Sequence, residues 1–210
     1  MKHISISGLA VLLALVCFAS VGYATTIAPG GSATPPSALT ETGVPIPATF
    51  LTEPFSTSSY SGTFETEVFR QASGTLDFLY FVSSDSSSTD NIERLTATNF
   101  TGFTTDVGYE TVAGRIAPIE ADRSLGGNTV GFNFGLPPVG IAHGQSSDVL
   151  IIRTNATGYH PGIANIIDGN IASVDAWAPS PEPVSSSLLL GGLFGVGLVV
   201  TRKFRARRQS

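Results

Sequence analysis

The histidines of the central region, residues 25–180, are the first candidates for acid–base chemistry. His143 is followed by Gly144, and His160 is followed by Pro161 and Gly162. An imidazole can act near neutral pH as a general base or as a metal ligand, but such a site also needs a carboxylate or a second ligand at a defined spacing. Neither histidine has one, so we interpret both as solvated residues of glycine-containing loops.

Paired carboxylates could support a second kind of chemistry. Glu65 and Glu67 are two positions apart in an alternating run, which places both side chains on one face of a strand. Two carboxylates on one face can act as the acid and the base of a glycoside hydrolase. The same spacing is typical of ionised glutamates on the polar face of a strand, and we favour that interpretation.

Oxygen ligands for a cation are concentrated in the serine-rich segment 83–91. This segment contains Asp85 and Asp90, and Glu93 follows it. Carboxylate and hydroxyl oxygens suit calcium, but the spacing does not match an EF-hand loop. We expect a solvated acidic loop and keep Asp85 and Asp90 as weak candidate calcium ligands. Apart from them the sequence predicts no metal and no cofactor.

Aromatic side chains could bind sugars. Tyr109, Tyr159 and Trp177 each have a ring that could stack on a pyranose. Aromatic residues in strands more often build the core, so we assign all three to packing.

Enzyme motifs are absent from the central region. It contains no nucleophile elbow, zinc-protease motif, P-loop or dinucleotide fingerprint, and the single cysteine, Cys17, lies outside it. Five basic residues stand against fifteen acidic ones, a net charge of −10. A region this acidic is not expected to bind nucleic acid. We predict that the protein is not an enzyme.

Short β-strands are the elements that would position these residues. Apolar and polar residues alternate through 64–69, 103–109 and 130–134, as in strands with one buried face. The runs 76–82 and 149–152 are apolar on both faces, which is typical of strands covered on each side. The pair Asp168-Gly169 predicts a hairpin that joins 164–167 to 171–177.

The predicted fold is therefore all-β. We expect a single antiparallel β-sandwich over residues 50–179, with jelly-roll and immunoglobulin-like topologies both open. Residues 25–49 are rich in proline, threonine and serine and can bury little apolar area. We expect them to form an extended or loosely packed arm.

The first 24 residues have the layout of a signal peptide. Lys2 and His3 precede an apolar run, and Gly22 and Ala24 are small residues at the positions that a signal peptidase accepts. We expect passage through the secretion translocon and cleavage after Ala24 by signal peptidase.

The C-terminus has a layout of three parts. The prolines 179, 181 and 183 lack an amide hydrogen, so we expect a stiff segment that leaves the sheet there. The apolar run 184–201 is just long enough for a transmembrane helix. Basic residues stay in the cytoplasm, so the cluster behind the run places the central region outside. That cluster consists of Arg202, Lys203, Arg205, Arg207 and Arg208.

The motif Pro181-Glu182-Pro183, followed by an apolar run and a terminal arginine-rich cluster, resembles the PEP-CTERM sorting signal of Gram-negative bacteria. The resemblance covers residues 181–210 with all three parts in order. It implies that the tail is recognised by exosortase, an integral-membrane protease, and that this protein is its substrate. No catalytic residue is implied for the chain itself. The central region also looks like the all-β part of many such proteins.

Two functional hypotheses follow. The first is an exported, non-enzymatic envelope or extracellular-matrix protein, processed by exosortase in association with exopolysaccharide. It would be anchored transiently in the inner membrane, with its central region in the periplasm and its tail in the cytoplasm, before reaching the outer surface or the medium. The second is a secreted carbohydrate-active hydrolase or carbohydrate-binding module with the same tail. Convergent acids with a perturbed pKa in a concave pocket would favour the second.

Overall fold

The computed structural model describes residues 24–37, 39–135 and 139–180, and these residues form thirteen β-strands. The strands make two antiparallel sheets of seven and six strands. The described residues contain no helix, which confirms the all-β prediction. Within the same residues no helix is long and apolar enough to span a membrane. The predicted membrane helix and residues 1–23 of the predicted signal peptide lie outside them.

The seven-stranded sheet has the order β1-β8-β11-β6-β5, and β3 and β4 both pair with the other side of β5. Its strands are β1 (Thr25–Thr26), β3 (Val44–Pro45), β4 (Leu51–Ser56), β5 (Ser61–Arg70), β6 (Leu76–Ser84), β8 (Thr105–Glu110) and β11 (Val149–Thr154).

The six-stranded sheet has the order β13-β12-β7-β10-β9-β2. Its strands are β2 (Ser32–Ala33), β7 (Arg94–Ala97), β9 (Glu120–Arg123), β10 (Val130–Asn133), β12 (Gly158–Asp168) and β13 (Asn170–Ser180).

The alternation predicted for β5 is present. Phe64, Thr66 and Val68 are buried, and Glu65 and Glu67 are half-buried on the opposite face. Because side chains of a strand point alternately to its two faces, one face of β5 enters the core and the other carries the two glutamates.

One hydrophobic core contains residues from both sheets, which gives a sandwich-like arrangement. Phe64 and Phe78 of the seven-stranded sheet and Phe132 of the six-stranded sheet are completely buried. Phe78 meets Phe100 edge-on with ring centroids 6.0 Å apart. Each such side chain contributes about 1.5–3 kcal/mol to stability by leaving water.

A buried arginine connects loops at one end of the fold. Arg123, at the end of β9, is 6% exposed. Its guanidinium donates hydrogen bonds to the backbone oxygens of Ile27, Phe100, Phe103 and Gly127 at 2.8 to 3.3 Å. The positive charge of Arg123 is thus stabilised by carbonyl oxygens, since none of these four partners is a carboxylate.

The outer face of the seven-stranded sheet is only partly covered, so the prediction of two covered faces for 76–82 and 149–152 is only partly right. Leu79 and Phe81 of β6 are half-buried on that face. Ile151 of β11 is completely buried. It pairs with Gly108, and a Cβ on Gly108 would come within 2.6 Å of Leu39 Cδ2. Leu39 therefore covers this part of the face.

Residues 25–49 are extended, but they do not form a loosely packed arm. β1 and β3 pair with β8 and β5 in one sheet, and β2 pairs with β9 in the other. Ile27 and Leu39 are 2% and 1% exposed. The composition alone is misleading here, because two well-placed apolar side chains fix a segment whose other residues are mostly polar or small.

The predicted hairpin is present and longer than expected. β12 and β13 pair over their whole lengths, with Gly169 at φ +58° in the turn. His160 therefore lies in β12, and its assignment to a loop is wrong. The neighbouring Pro161 lies where β12 extends beyond β7, so its missing amide hydrogen removes no bond between these two strands.

The last strand continues through Pro179, so the prediction that this proline has left the sheet is wrong. Pro179 pairs with Tyr159, and Ser180 pairs with Gly158. β13 is an edge strand with one neighbour, and an edge strand tolerates a proline whose missing amide faces outwards. The described fold ends at Ser180, directly before Pro181.

Candidate functional site

A groove of about 210 Å³ lies on the exposed part of the seven-stranded sheet. We call it the outer-face groove. The residues that line it are Phe50, Glu65, Thr66, Glu67, Leu79, Tyr80, Phe81, Arg115 and Val149.

The floor of the groove is set by the register of β5 and β6. Glu65 is opposite Phe81, and Glu67 is opposite Leu79. Each glutamate thus stands beside an apolar side chain of the next strand. Partial burial raises the pKa of Glu67, because a low-dielectric surrounding disfavours the charged carboxylate.

One wall of the groove is formed by Phe50, which is 60% exposed. It lies in the break between β3 and β4, where the chain leaves the ladder after Ile46. The hydroxyl of Thr49 replaces the missing ladder bonds: it accepts from the Val68 amide at 3.1 Å and donates to the Ile46 oxygen at 2.9 Å. Ala48 has φ +64°, a conformation that costs a non-glycine residue about 1–3 kcal/mol.

Arg115 lies beside Phe81. Its guanidinium carbon is 4.4 Å from the centre of the Phe81 ring, a cation–π contact. The loop that carries it is fixed, because the Ile116 amide bonds to the Ser146 oxygen and Asp148 Oδ1 accepts from the Val112 amide.

The other four arginines of the described residues bind protein oxygens. Arg94 and Arg153 form ion pairs with Asp122 and Asp77. Arg123 binds four carbonyls, and Arg70 donates to two backbone oxygens. Among the described residues, Arg115 is thus the arginine whose guanidinium contacts an aromatic ring and makes no ion pair or hydrogen bond to a protein oxygen.

A second polar cluster lies two residues along β6 from the groove. Asp77 is 1% exposed. Its Oδ2 accepts from Arg153 Nε at 2.9 Å and from Gln71 Nε2 at 2.7 Å. Gln71 Nε2 also donates to Glu41 Oε1 at 2.6 Å. The cluster thus joins the N-terminal segment, through Glu41, to the centre of the seven-stranded sheet.

The two carboxyl groups of this cluster interact electrostatically. Burial, followed by the charge of Glu41, raises the pKa of Asp77 to about 7, although Arg153 opposes the shift. Asp77 Oδ1 and Glu41 Oε2 are buried and have no hydrogen-bond partner among the described residues. A proton held between the two carboxyl groups is consistent with both observations.

The structure brings together one of the predicted sets of site residues. Glu65 and Glu67 line the same groove. His143 is exposed in a loop, as expected. His160 lies in β12, where its ring Nδ1 is 2.6 Å from the Pro161 oxygen. Neither histidine lines the groove.

The two candidate calcium ligands have different neighbours in the structure. Asp85 Oδ2 accepts a hydrogen bond from the Ser61 hydroxyl at 2.7 Å. Asp90 lies instead near Asp168, whose pKa is raised first by burial and then by the charges of Asp90 and Glu93. No group of three or more acids, histidines or cysteines in the described residues can hold a metal ion.

The three aromatic residues assigned to packing do pack. Tyr159 and Trp177 meet edge-on at 5.3 Å, and the Trp177 Nε1 donates to the Thr49 oxygen. Tyr109 is partly buried against the core. None of the three lines the outer-face groove.

The sorting and processing residues fall mainly outside the described residues. Pro181, Glu182, Pro183 and the basic cluster from Arg202 to Arg208 lie there, and Ala24 is the first described residue.

No family model, curated protein or solved structure matches the chain. The functional conclusions therefore depend on the residues of this chain.

Sequence reasoning missed Phe50, Phe81 and Arg115 in the groove, and Glu41 with Asp77 beside it. One signal was available. Asp77 is a carboxylate within an otherwise apolar run, and a charge in such a strand is buried only where a partner compensates it. The cation–π contact of Arg115 had no such signal, because its loop is distant in sequence from Phe81.

Proposed function

We propose that the chain is an exported, non-enzymatic protein whose central region is one β-sandwich and whose residues 181–210 are a PEP-CTERM sorting signal. Signal peptidase removes residues 1–24 after passage through the translocon. The apolar run holds the protein transiently in the inner membrane with the tail in the cytoplasm. Exosortase then processes the tail, and the central region reaches the outer surface or the medium, in association with exopolysaccharide.

The end of β13 at Ser180 carries this proposal. The core residues of the described fold all precede Pro181, and Ser180 is still paired in the sheet. Both sheets and their shared core are thus formed by contacts among the described residues up to Ser180. Removal of the tail would therefore leave an intact central region, as a processing substrate requires.

Replacement of the tripeptide tests the proposal in cells that contain exosortase. Glu182→Ala, or Pro181→Ala with Pro183→Ala, should leave export intact and cause a full-length, membrane-retained form to accumulate. Ser185→Ala, just after the motif, is the matched control and should be processed normally. Equal release of the parent and of the tripeptide variants, measured by immunoblotting of fractions, would refute the sorting proposal.

The groove favours a second candidate, a carbohydrate-active protein with the same tail. Glu65 and Glu67 line one groove, and the pKa of Glu67 is raised, as is common for a general acid. If the groove hydrolyses glycans, the purified chain should release reducing sugar, and Glu65→Gln or Glu67→Gln should abolish that activity. If the purified chain releases no reducing sugar, hydrolysis in the groove is rejected and only a binding role remains.

A further inference from the structure

We propose that the outer-face groove binds a single neutral sugar ring of an extracellular glycan, with the ring stacked on Phe50 and its hydroxyls bonded to Glu65, Glu67 and Arg115. The proposal rests on the export proposed above, since export is what brings the central region into contact with such glycans.

The apolar part of the groove suits the C–H face of a pyranose. Phe50 is 60% exposed, which is unusual for an aromatic side chain that has a large core nearby. Phe81 lines the same groove, but the Arg115 guanidinium lies over its ring, so Phe50 supplies the open aromatic face. An aromatic ring attracts positively polarised hydrogens to its face, and the C–H face of a sugar presents such hydrogens.

The polar part of the groove supplies both kinds of hydrogen-bonding group. Carboxylates accept and a guanidinium donates, and a sugar hydroxyl does both. Glu65, Glu67 and Arg115 show no hydrogen bond or ion pair to another side chain of the described residues. Their hydrogen-bonding capacity is therefore available to a ligand, while Arg115 keeps its cation–π contact with Phe81.

The wall of the groove is held in place before any ligand binds. Thr49, next to Phe50, is 1% exposed and is fixed by its bonds to Ile46 and Val68. Leu51, on the other side, pairs with Thr66 of β5. The positive φ of Ala48 is a strain that surrounding contacts maintain, and such strain is concentrated at functional sites. An exposed ring on a fixed backbone loses little entropy on binding.

The charge and the size of the groove limit which ligands it can bind. Two carboxylates and one guanidinium leave the groove net negative, so a neutral sugar is favoured over a uronic acid, whose carboxylate would meet Glu65 and Glu67. The volume of about 210 Å³ is below the roughly 300–1,000 Å³ of pockets that enclose drug-sized ligands. The groove therefore fits one ring of a chain that continues into solvent on either side.

Ligand-observed NMR on the full-length chain tests this inference, with the protein in a detergent that has no sugar headgroup. The probes are glucose, galactose, mannose, N-acetylglucosamine and glucuronic acid, each also as a short oligosaccharide. At least one neutral sugar should bind, with millimolar affinity, and Phe50→Ala should weaken binding about tenfold. Phe50→Trp should retain binding, because it keeps a flat aromatic face. Glu67→Gln should weaken binding less, because the amide still offers an acceptor.

Leu125→Ala is the matched control, since Leu125 is another exposed apolar side chain, 87% exposed and outside the groove. It should bind as the parent does. The inference is overturned if no neutral sugar binds, if glucuronic acid alone binds, or if Phe50→Ala binds as tightly as the parent. Normal tail processing in cells together with any of these results would reject the groove assignment and leave the sorting proposal standing.

Discussion

The indole Nε1 of Trp177 donates a hydrogen bond to the backbone oxygen of Thr49 at 2.5 Å. This bond joins β13, the strand that leads into the tail, to the segment that presents Phe50. The Tyr80 hydroxyl donates to the Trp177 oxygen at 2.8 Å, so the same residue is also fixed to the centre of the seven-stranded sheet. Hydrogen bonds of Trp177 therefore connect the last strand to one wall of the groove.

Trp177→Phe should lower the free energy of unfolding by about 1–3 kcal/mol, because it leaves the Thr49 oxygen without its donor in a half-buried place. Urea denaturation monitored by circular dichroism measures this. Ile163→Ala, at an exposed position of β12, should change stability by much less. A Trp177→Phe variant as stable as the parent would show that the bond contributes nothing.

Asp77→Asn should remove part of the pH dependence of stability. Burial and Glu41 raise the pKa of Asp77 from 3.8 to about 7, so the folded state binds this proton more tightly than the unfolded state does. The stabilisation is fully present below pH 3.8 and is lost as the pH rises through about 7. The loss is at most about 4 kcal/mol.

Urea unfolding at a series of pH values should therefore show the parent losing stability relative to Asp77→Asn between acidic and neutral pH. The exposed Asp175→Asn is the control and should follow the parent. Parallel curves for the parent and Asp77→Asn would contradict the raised pKa.

Leu39→Ala should destabilise the fold by about 2–5 kcal/mol, the usual cost of removing a fully buried leucine side chain. The effect follows from the packing of Leu39 over Gly108. Val44→Ala, at a residue that is 70% exposed, should cost little. If thermal unfolding shows equal stability for the two variants, Leu39 does not contribute to the core and residues 25–49 are loosely packed after all.

Arg123→Lys should destabilise by roughly 2–4 kcal/mol, although it keeps the positive charge. A lysine has three donors on one nitrogen and cannot reach four carbonyls in different directions, so buried oxygens lose their partners. Arg70→Lys, at an exposed arginine, is the matched control. A conservative exchange tolerated equally at both positions would show that the four bonds of Arg123 are not needed.

The sequence predicted a strand correctly where only one face of that strand is buried. The alternation around Phe64 placed β5, and Asp168-Gly169 placed the last hairpin, because both patterns record a local backbone requirement. The N-terminal segment was misjudged because its few buried residues, such as Leu39, are fixed by distant strands. Composition cannot report such contacts, since they depend on tertiary structure.

The groove was predictable only in part. The spacing of Glu65 and Glu67 placed them on one face. Which part of that face stayed open depended on Leu39, which covers Ile151 but does not extend over β5. The exposure of Phe50 depends on the break between β3 and β4. A proline-rich stretch does not reveal where such a break occurs.

Ser180 ends the last strand, and the predicted membrane segment starts at residue 184. Four Cα–Cα steps separate Ser180 from residue 184 and span at most about 14 Å, so an anchored molecule would stand close to the lipid headgroups. If the tail is anchored as proposed, a globular protease in the periplasm would have little room to reach the tripeptide. An enzyme that cuts near Pro181-Glu182-Pro183 before release would have to approach from within the bilayer, and a flexible spacer inserted after Ser180 would bring no gain in processing.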